Sequence, residues 1–236
     1  PHLLQWRNKP INDTYEPRST FKSMVLAAAL EEGVVSESDT FSCTGSVNIA
    51  GSTIRCSDRD GHGTQTLAKA VANSCNPAFI AIGQRLGAER FYDYLEDFGF
   101  LETTGIDMQG EANSTVWSRD WFTGPYGEAS LATASFGQRF NVTPIQLITA
   151  ASAVINGGHL MQPYVLESIT DADGNVIQST EPTERRQVVS EATSEKCRTI
   201  LEGVVNGGTG KNAYQAGYRI GGKTGSSETL EDDHTI

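Results

Sequence analysis

The chain has 236 residues, enough for one large or two small domains with a substantial buried core. An apolar fraction of 38% excludes a disordered polyelectrolyte, and a formal net charge of -11 argues against nucleic acid as a partner, because phosphate backbones recruit Lys and Arg clusters. The longest apolar run, Met24 to Leu30, falls far short of the ~20 residues that span a bilayer, and Pro1-His2-Leu3-Leu4-Gln5-Trp6 lacks the charged start and apolar core of a signal peptide.

In chain order, Pro17 and Ser19 lead into Phe21–Leu30, good helix formers ended by Gly33, which places Ser19 at a helix N-terminus. Thr40-Phe41-Ser42-Cys43 and Thr53-Ile54-Arg55-Cys56 are the strand-like ends of a polar, Gly-containing segment and are expected to face each other in a hairpin. One helix is expected from Thr66 to Ala72 and another from Pro77 to near Gly87, with Ser74-Cys75-Asn76 in the bend between them. Ala88 to Phe98, closed by Gly99, carries Phe91, Tyr94, Leu95 and Phe98 on one side, a core-facing stripe. Thr143-Pro144-Ile145-Gln146 is a capping-box pattern with Pro at the first helical position, starting a helix that runs to Asn156. Tyr164–Ile169 and Asn175–Ser179 read as strands about the turn Asp171–Gly174. Glu191–Val205 is the last helix, followed by a glycine-rich loop and a strand over Tyr218–Gly225. No repeat or linker divides the sequence, so residues 1–236 are taken as one domain, and the order helices, hairpin, helix, strand gives an α+β class.

Cys43, Cys56, Cys75 and Cys197 show none of the paired spacings of zinc sites, so no metal is expected. The expected hairpin could set Cys43 opposite Cys56. A disulfide there, which implies an oxidising compartment, and two half-buried thiols that never meet are the two readings. Cys197 keeps helical step with Ile200, Leu201 and Val204 and is read as core. His62, between two glycines, is read as a loop residue, with a place at a site as the alternative.

Three short segments could carry chemistry. Ser19-Thr20-Phe21-Lys22 places a hydroxyl and an amine three residues apart on one helix face, so that the amine could take the hydroxyl proton once burial and a neighbouring cation lower its pKa. Ser74-Cys75-Asn76 offers a hydroxyl to relay a proton and an amide to orient a peptide. Ser46-Val47-Asn48 fits the same pattern but lies in the expected hairpin, whereas Ser74 sits at a defined corner before Pro77. Lys223-Thr224-Gly225 sets a cation beside a hydroxyl, suited to a carboxylate, with a glycine that lets a substrate backbone come close. Each triplet is cheap by chance. S-x-x-K, S-x-N and K-T-G in that order, on helix start, bend and late strand, match the set shared by serine β-lactamases and penicillin-binding proteins.

The chain resembles the class B penicillin-binding proteins, the monofunctional DD-transpeptidases, over nearly its whole length. Tyr15-Glu16-Pro17-Arg18-Ser19-Thr20-Phe21-Lys22 is similar to the family's Y-E-P-G-S-T-F-K segment, and Ser74-Cys75-Asn76-Pro77 to its S-x-N region. Gly61-His62-Gly63, Gly105-Ile106-Asp107, Ser135-Phe136-Gly137-Gln138, Val142–Leu147 and Asn156-Gly157-Gly158 extend the likeness. The resemblance implies the penicillin-binding protein/β-lactamase-like fold, mainly its helical part with an incomplete antiparallel sheet. It implies that Ser19 forms an acyl-enzyme with Lys22 as base, and that Ser74 shuttles a proton to the leaving D-alanine. Asn76 would bind the peptide amide, Lys223 and Thr224 beside Gly225 the terminal carboxylate, and the N–H groups of Ser19 and Ser226 the oxyanion.

Peptidoglycan stem peptides, β-lactams and cell-wall synthesis partners follow as ligands, with no cofactor. The implied place is the extracytoplasmic face of a bacterial membrane, with attachment only through a segment absent from this sequence. Two departures are expected to matter. Arg18 stands where the family has glycine, and the family's strands before the serine motif and after the lysine motif fall outside the sequence. The competing readings are a penicillin-binding sensor or non-catalytic scaffold, and a β-lactamase, for which no Glu-x-x-x-Asn segment lies between Ser74 and Lys223.

Overall fold

A computed structural model of the chain describes residues 6–226. A short helix α1 (Lys9–Asn12) precedes a single 3-10 turn, Arg18–Phe21, which runs directly into α2 (Lys22–Glu31). Every residue of α2 from Lys22 to Leu30 is buried. A helix apolar on all sides belongs in the middle of a core, and the small side chains Ala27, Ala28 and Ala29 let neighbours approach from several directions. The strands β1 (Thr40–Cys43), β2 (Ser46–Ile49), β3 (Ser52–Arg55) and β4 (Gly63–Thr66) come next, then α3 (Leu67–Ala72), α4 (Asn76–Leu86) and α5 (Ala88–Asp97). After α6 (Arg119–Thr123), α7 (Glu128–Ala134) and α8 (Pro144–Ile155) lie β5 (His159–Met161), β6 (Ser168–Thr170), β7 (Val176–Ser179) and β8 (Glu184–Gln187). The long α9 (Glu191–Gly207) follows.

Helices α4, α5, α8 and α9 surround α2. Phe21 fixes the entry to α2 by packing edge-on against Phe140, with ring centroids 4.9 Å apart, and against Phe100 at 5.3 Å. Helix α8 starts with the capping box read from sequence: Thr143 Oγ1 accepts from the Gln146 N–H, and the Gln146 side chain accepts from the Thr143 N–H. Cys197 is buried on α9 beside Ile200, Leu201 and Val204, as its spacing requires.

The strands described form four antiparallel pairs in two nests, β2–β3 inside β1–β4 and β6–β7 inside β5–β8. This corrects the expected hairpin of Thr40–Cys43 with Thr53–Cys56. Ala50 and Gly51, both at positive φ, close a two-residue turn that binds β3 to β2, and Cys43 instead lies opposite Gly63. The expected strand Tyr164–Ile169 is reduced to Ser168–Thr170, because the N–H groups of Val165 and Leu166 are taken by the Asp107 carboxylate, each at 2.8 Å. These bonds hold the Asp107 carboxyl below the usual carboxylate range. The expected strand over Tyr218–Gly225 does not form either. No strand runs alongside it among the described residues, and Gly222 N–H bonds the side of α9 at Leu201 O, 3.2 Å away. Along α8 and α9 an open groove of 610 Å³, lined by Leu147, Ile148, Ala151, Ile155, Leu201 and Gly222, leaves apolar side chains uncovered among the described residues.

Candidate active site

The 3-10 turn that carries Ser19 is held from two directions. Arg18 adopts φ +54°, the left-handed conformation its replacement of glycine demanded. Its N–H donates to Gly137 O at 2.7 Å, and its Nε lies 2.9 Å from Glu16 Oε2, an ion pair without hydrogen-bond alignment. The other Glu16 oxygen accepts from the N–H of Arg139, itself at φ +68°, so one carboxylate steadies both strained residues. Gly137 is required here: its φ is +80° and a Cβ on it would lie 2.0 Å from Arg18 O. Gly137→Ala is therefore expected to destabilise by about 3 kcal/mol or more, measured by denaturant unfolding, whereas Arg18→Gly should change stability by less than about 1 kcal/mol.

Ser74 is placed by the end of α3. The chain leaves the helix through a Schellman motif, with Ser74 N–H on Val71 O and Cys75 N–H on Ala70 O, both 3.0 Å. The left-handed position normally given to glycine is occupied by Ser74, at φ +54°. A strained non-glycine residue at such a corner is a signature of functional sites. Asn76 then opens α4, with Pro77 in its first turn.

Lys22 and Lys223 converge on this corner. Lys22 Nζ, wholly buried, donates to Ser74 O at 2.8 Å and Asn76 Oδ1 at 2.7 Å, and lies 3.2 Å from Ser74 Oγ and 5.2 Å from the Phe79 ring centre. It has no carboxylate partner among the described residues. Burial, and then the charge of Lys223, bring its pKa down to about 7. Lys223 Nζ donates to Ser74 Oγ at 2.8 Å and to Thr224 O at 3.0 Å, and burial lowers it to about 8. Ser74 Oγ thus sits between two amines drawn from positions 52 residues before it and 149 after it. Ser46 lies on β2 and has no such contact among the described residues, which favours Ser74 of the two S-x-N candidates.

Ser19, Ser74, Asn76, Thr224, Gly225 and Ser226 line one cleft of 570 Å³. A Cβ on Gly225 would come within 3.0 Å of Thr20, so glycine lets the late segment lie against the Ser19 turn. Because that segment is not a regular strand, Lys223 reaches Ser74 while the Thr224 hydroxyl also faces the cleft, 2.8 Å from Thr209 Oγ1. Sequence reasoning missed Arg55, Arg59, Gln138 and Thr209 in the lining. Thr209 could have been suspected from its glycine-rich loop, which docks on α3 through Thr209 N–H to Ala72 O. Among the described residues no Asp or Glu lines the cleft, and Arg18, Arg55 and Arg59 do, in a chain of net charge -11.

A family model for the penicillin-binding protein transpeptidase domain matches residues 2–235. The chain belongs to this family. Stage V sporulation protein D of Bacillus subtilis is 45% identical over 96% of the chain and 35% of its own length, and PbpB of Mycobacterium tuberculosis is 28% identical over 96% and 34%. The chain therefore spans about a third of the curated relatives it matches. Among solved structures, the D,D-transpeptidase domain of a peptidoglycan glycosyltransferase from Eggerthella lenta superposes with TM-score 0.89 at 30% identity, covering 95% of this chain and 57% of that one. Penicillin-binding protein 3 of M. tuberculosis, solved with aztreonam, gives TM-score 0.85 at 28% identity, covering 95% and 51%. The penicillin-binding transpeptidase fold, seen here as helices with small antiparallel sheets, is thus the one the resemblance implied.

Proposed function

We propose that the whole protein is a peptidoglycan D,D-transpeptidase that cross-links stem peptides through an acyl-enzyme on Ser19 and is acylated there by β-lactams. The carrying observation is Ser74 Oγ, 3.2 Å from one depressed-pKa amine and 2.8 Å from another, at the edge of a cleft that Ser19 lines. Neutral Lys22 accepts the Ser19 proton as Oγ attacks the carbonyl of the D-Ala-D-Ala bond. The oxyanion takes hydrogen bonds from the N–H groups of Ser19 and Ser226. As the C–N bond breaks, Ser74 passes a proton to departing D-alanine, and the amine of a second stem peptide resolves the ester. Asn76 binds the peptide amide, and Lys223 with Thr224 beside Gly225 holds the terminal carboxylate. The three arginines in the lining suit an anionic peptide.

The same lining supports a transpeptidase over a β-lactamase, since among the described residues it offers no carboxylate to activate water. Residues 1–236 would all belong to the transpeptidase domain, acting on the extracytoplasmic side of the membrane with other cell-wall synthesis proteins. No helix among the described residues is long and apolar enough to cross a membrane. The 45% identity to a protein named for sporulation supports a role at that stage. Mass spectrometry of the whole protein after benzylpenicillin tests the reading: an adduct on the peptide containing Ser19, released slowly, is expected, and a folded protein without it would overturn the proposal. Ser74→Ala is expected to slow acylation by about 10²–10⁴-fold, read as the second-order rate with a fluorescent penicillin.

A further inference from the structure

Beside the cleft, the fold gathers four residues that the sequence spaces as C-x12-C-x5-H-x12-C. The Sγ atoms of Cys43, Cys56 and Cys75 and a ring nitrogen of His62 all lie within 4.8 Å of one another. Cys56 Sγ is 3.5 Å from His62 Nδ1 and 4.0 Å from Cys75 Sγ, while Cys43 Sγ lies within 4.8 Å of the ligand atoms of His62 and Cys75. We propose that these four side chains bind one zinc ion in a closed, structural site. The expectation of no metal rested on the want of paired spacings. It missed the site because each ligand comes from a different element: the end of β1, the residue after β3, the loop before β4, and the residue that caps α4.

Several observations point the same way. A tetrahedron with Zn–S bonds of about 2.3 Å has S···S edges of about 3.8 Å, so the observed spacings need contract by only fractions of an ångström to about one. The thiols are 2%, 3% and 0% exposed, whereas half-buried His62 leaves a path for the ion. Three thiols cannot all pair as disulfides, and all four cysteines are free. A set of three sulfurs and one imidazole, without carboxylates, selects zinc over magnesium or calcium.

The scaffold around the ligands is built tightly. Backbone N–H groups of His62 and Gly45 face the Cys43 sulfur, and Cys56 N–H donates to Gly45 O at 2.9 Å. Gly45 and Gly61, at φ +88° and +87°, interlock so closely that a Cβ would lie 2.0 Å from Arg59 O at the first and 2.4 Å from Cys43 O at the second. The consequence concerns the neighbouring residues. Cys75 stands between Ser74 and Asn76, so an ion held there would tie the β1–β4 pair to the strained corner and keep Ser74 in its left-handed conformation.

The test is metal analysis of the whole protein, purified reduced and without chelator from zinc-supplied cells. One zinc per chain is expected, and replacement by cobalt(II) should give a thiolate-to-cobalt charge-transfer band. His62→Ala should keep its helical circular dichroism yet bind zinc at least about 100-fold more weakly. Cys56→Ser serves as the second variant, and the cobalt spectrum of the unaltered protein needs neither to fold. A folded, fully reduced protein that takes up neither metal would overturn the proposal. So would peptide mapping that finds Cys56 and Cys75 joined as a disulfide with Cys43 left as a thiol.

Discussion

A Ser19→Ala variant of the whole protein is expected to take up no fluorescent penicillin at any concentration or time, while its unfolding free energy stays within about 0.5 kcal/mol of the parent. In the proposed reaction this change removes the bond-forming atom, not merely a favourable contact, so no slow phase should remain. Stability should hold because Ser19 is half-buried on a single 3-10 turn, and no side-chain hydrogen bond of Ser19 is found among the described residues. The turn is fixed by its neighbours: Phe21 in the aromatic cluster, Arg18 on Gly137, and Glu16 on Arg139. Labelling is followed by gel fluorescence and stability by urea unfolding. An unstable variant would assign Ser19 a packing role, and persistent labelling would place the acyl bond elsewhere. If the cell-wall phenotype survives in a variant that has lost labelling, the whole protein works as a scaffold.

What the sequence could reveal divides along the range of the interactions. Local signals carried through: the capping box at Thr143, Pro77 opening α4, and the apolar α2 are set by neighbours within a turn or two. The residues of the candidate site could be picked out for the same reason, since each motif is a short segment on a local corner. Their relation was not. Lys22 touching Ser74, and Lys223 touching the same hydroxyl, follow from the packing of α2 against α4 and of the late segment against α9. Strand pairing failed as a prediction because β1 prefers β4 over the nearer β3, a choice made by the Ala50-Gly51 turn. The strand read over Tyr218–Gly225 had the right composition but no partner, and a strand exists only as part of a ladder. His62 and three cysteines spread over 33 positions gave no local pattern at all.

The second large effect concerns Lys22, whose amine must be neutral to accept a proton. Burial and the nearby Lys223 charge place its pKa at about 7, so the second-order rate of penicillin acylation should rise about tenfold per pH unit below that value and then level. Above about 8 Lys223 loses its charge, and with it the proposed hold on the ligand carboxylate, so the rate should fall again. The two amines share Ser74 Oγ, and the limbs belong to the pair more than to either residue. Lys22→Arg keeps a cation that cannot deprotonate and should lower acylation by about 10³-fold with the rising limb abolished.

Stability gives an independent check with a definite sign. In the unfolded chain Lys22 holds its proton up to about 10, while the folded protein releases it at about 7. Between those values the unfolded state binds more protons, so stability should climb with pH across that window and be flat, at its lower level, beneath it. Lys22→Met removes the titrating group and should reduce that climb, measured as melting temperature from pH 6 to 10. A variant whose melting profile keeps the full slope would show that the buried amine titrates normally, and the base assigned to Ser19 would have to be sought elsewhere in the cleft.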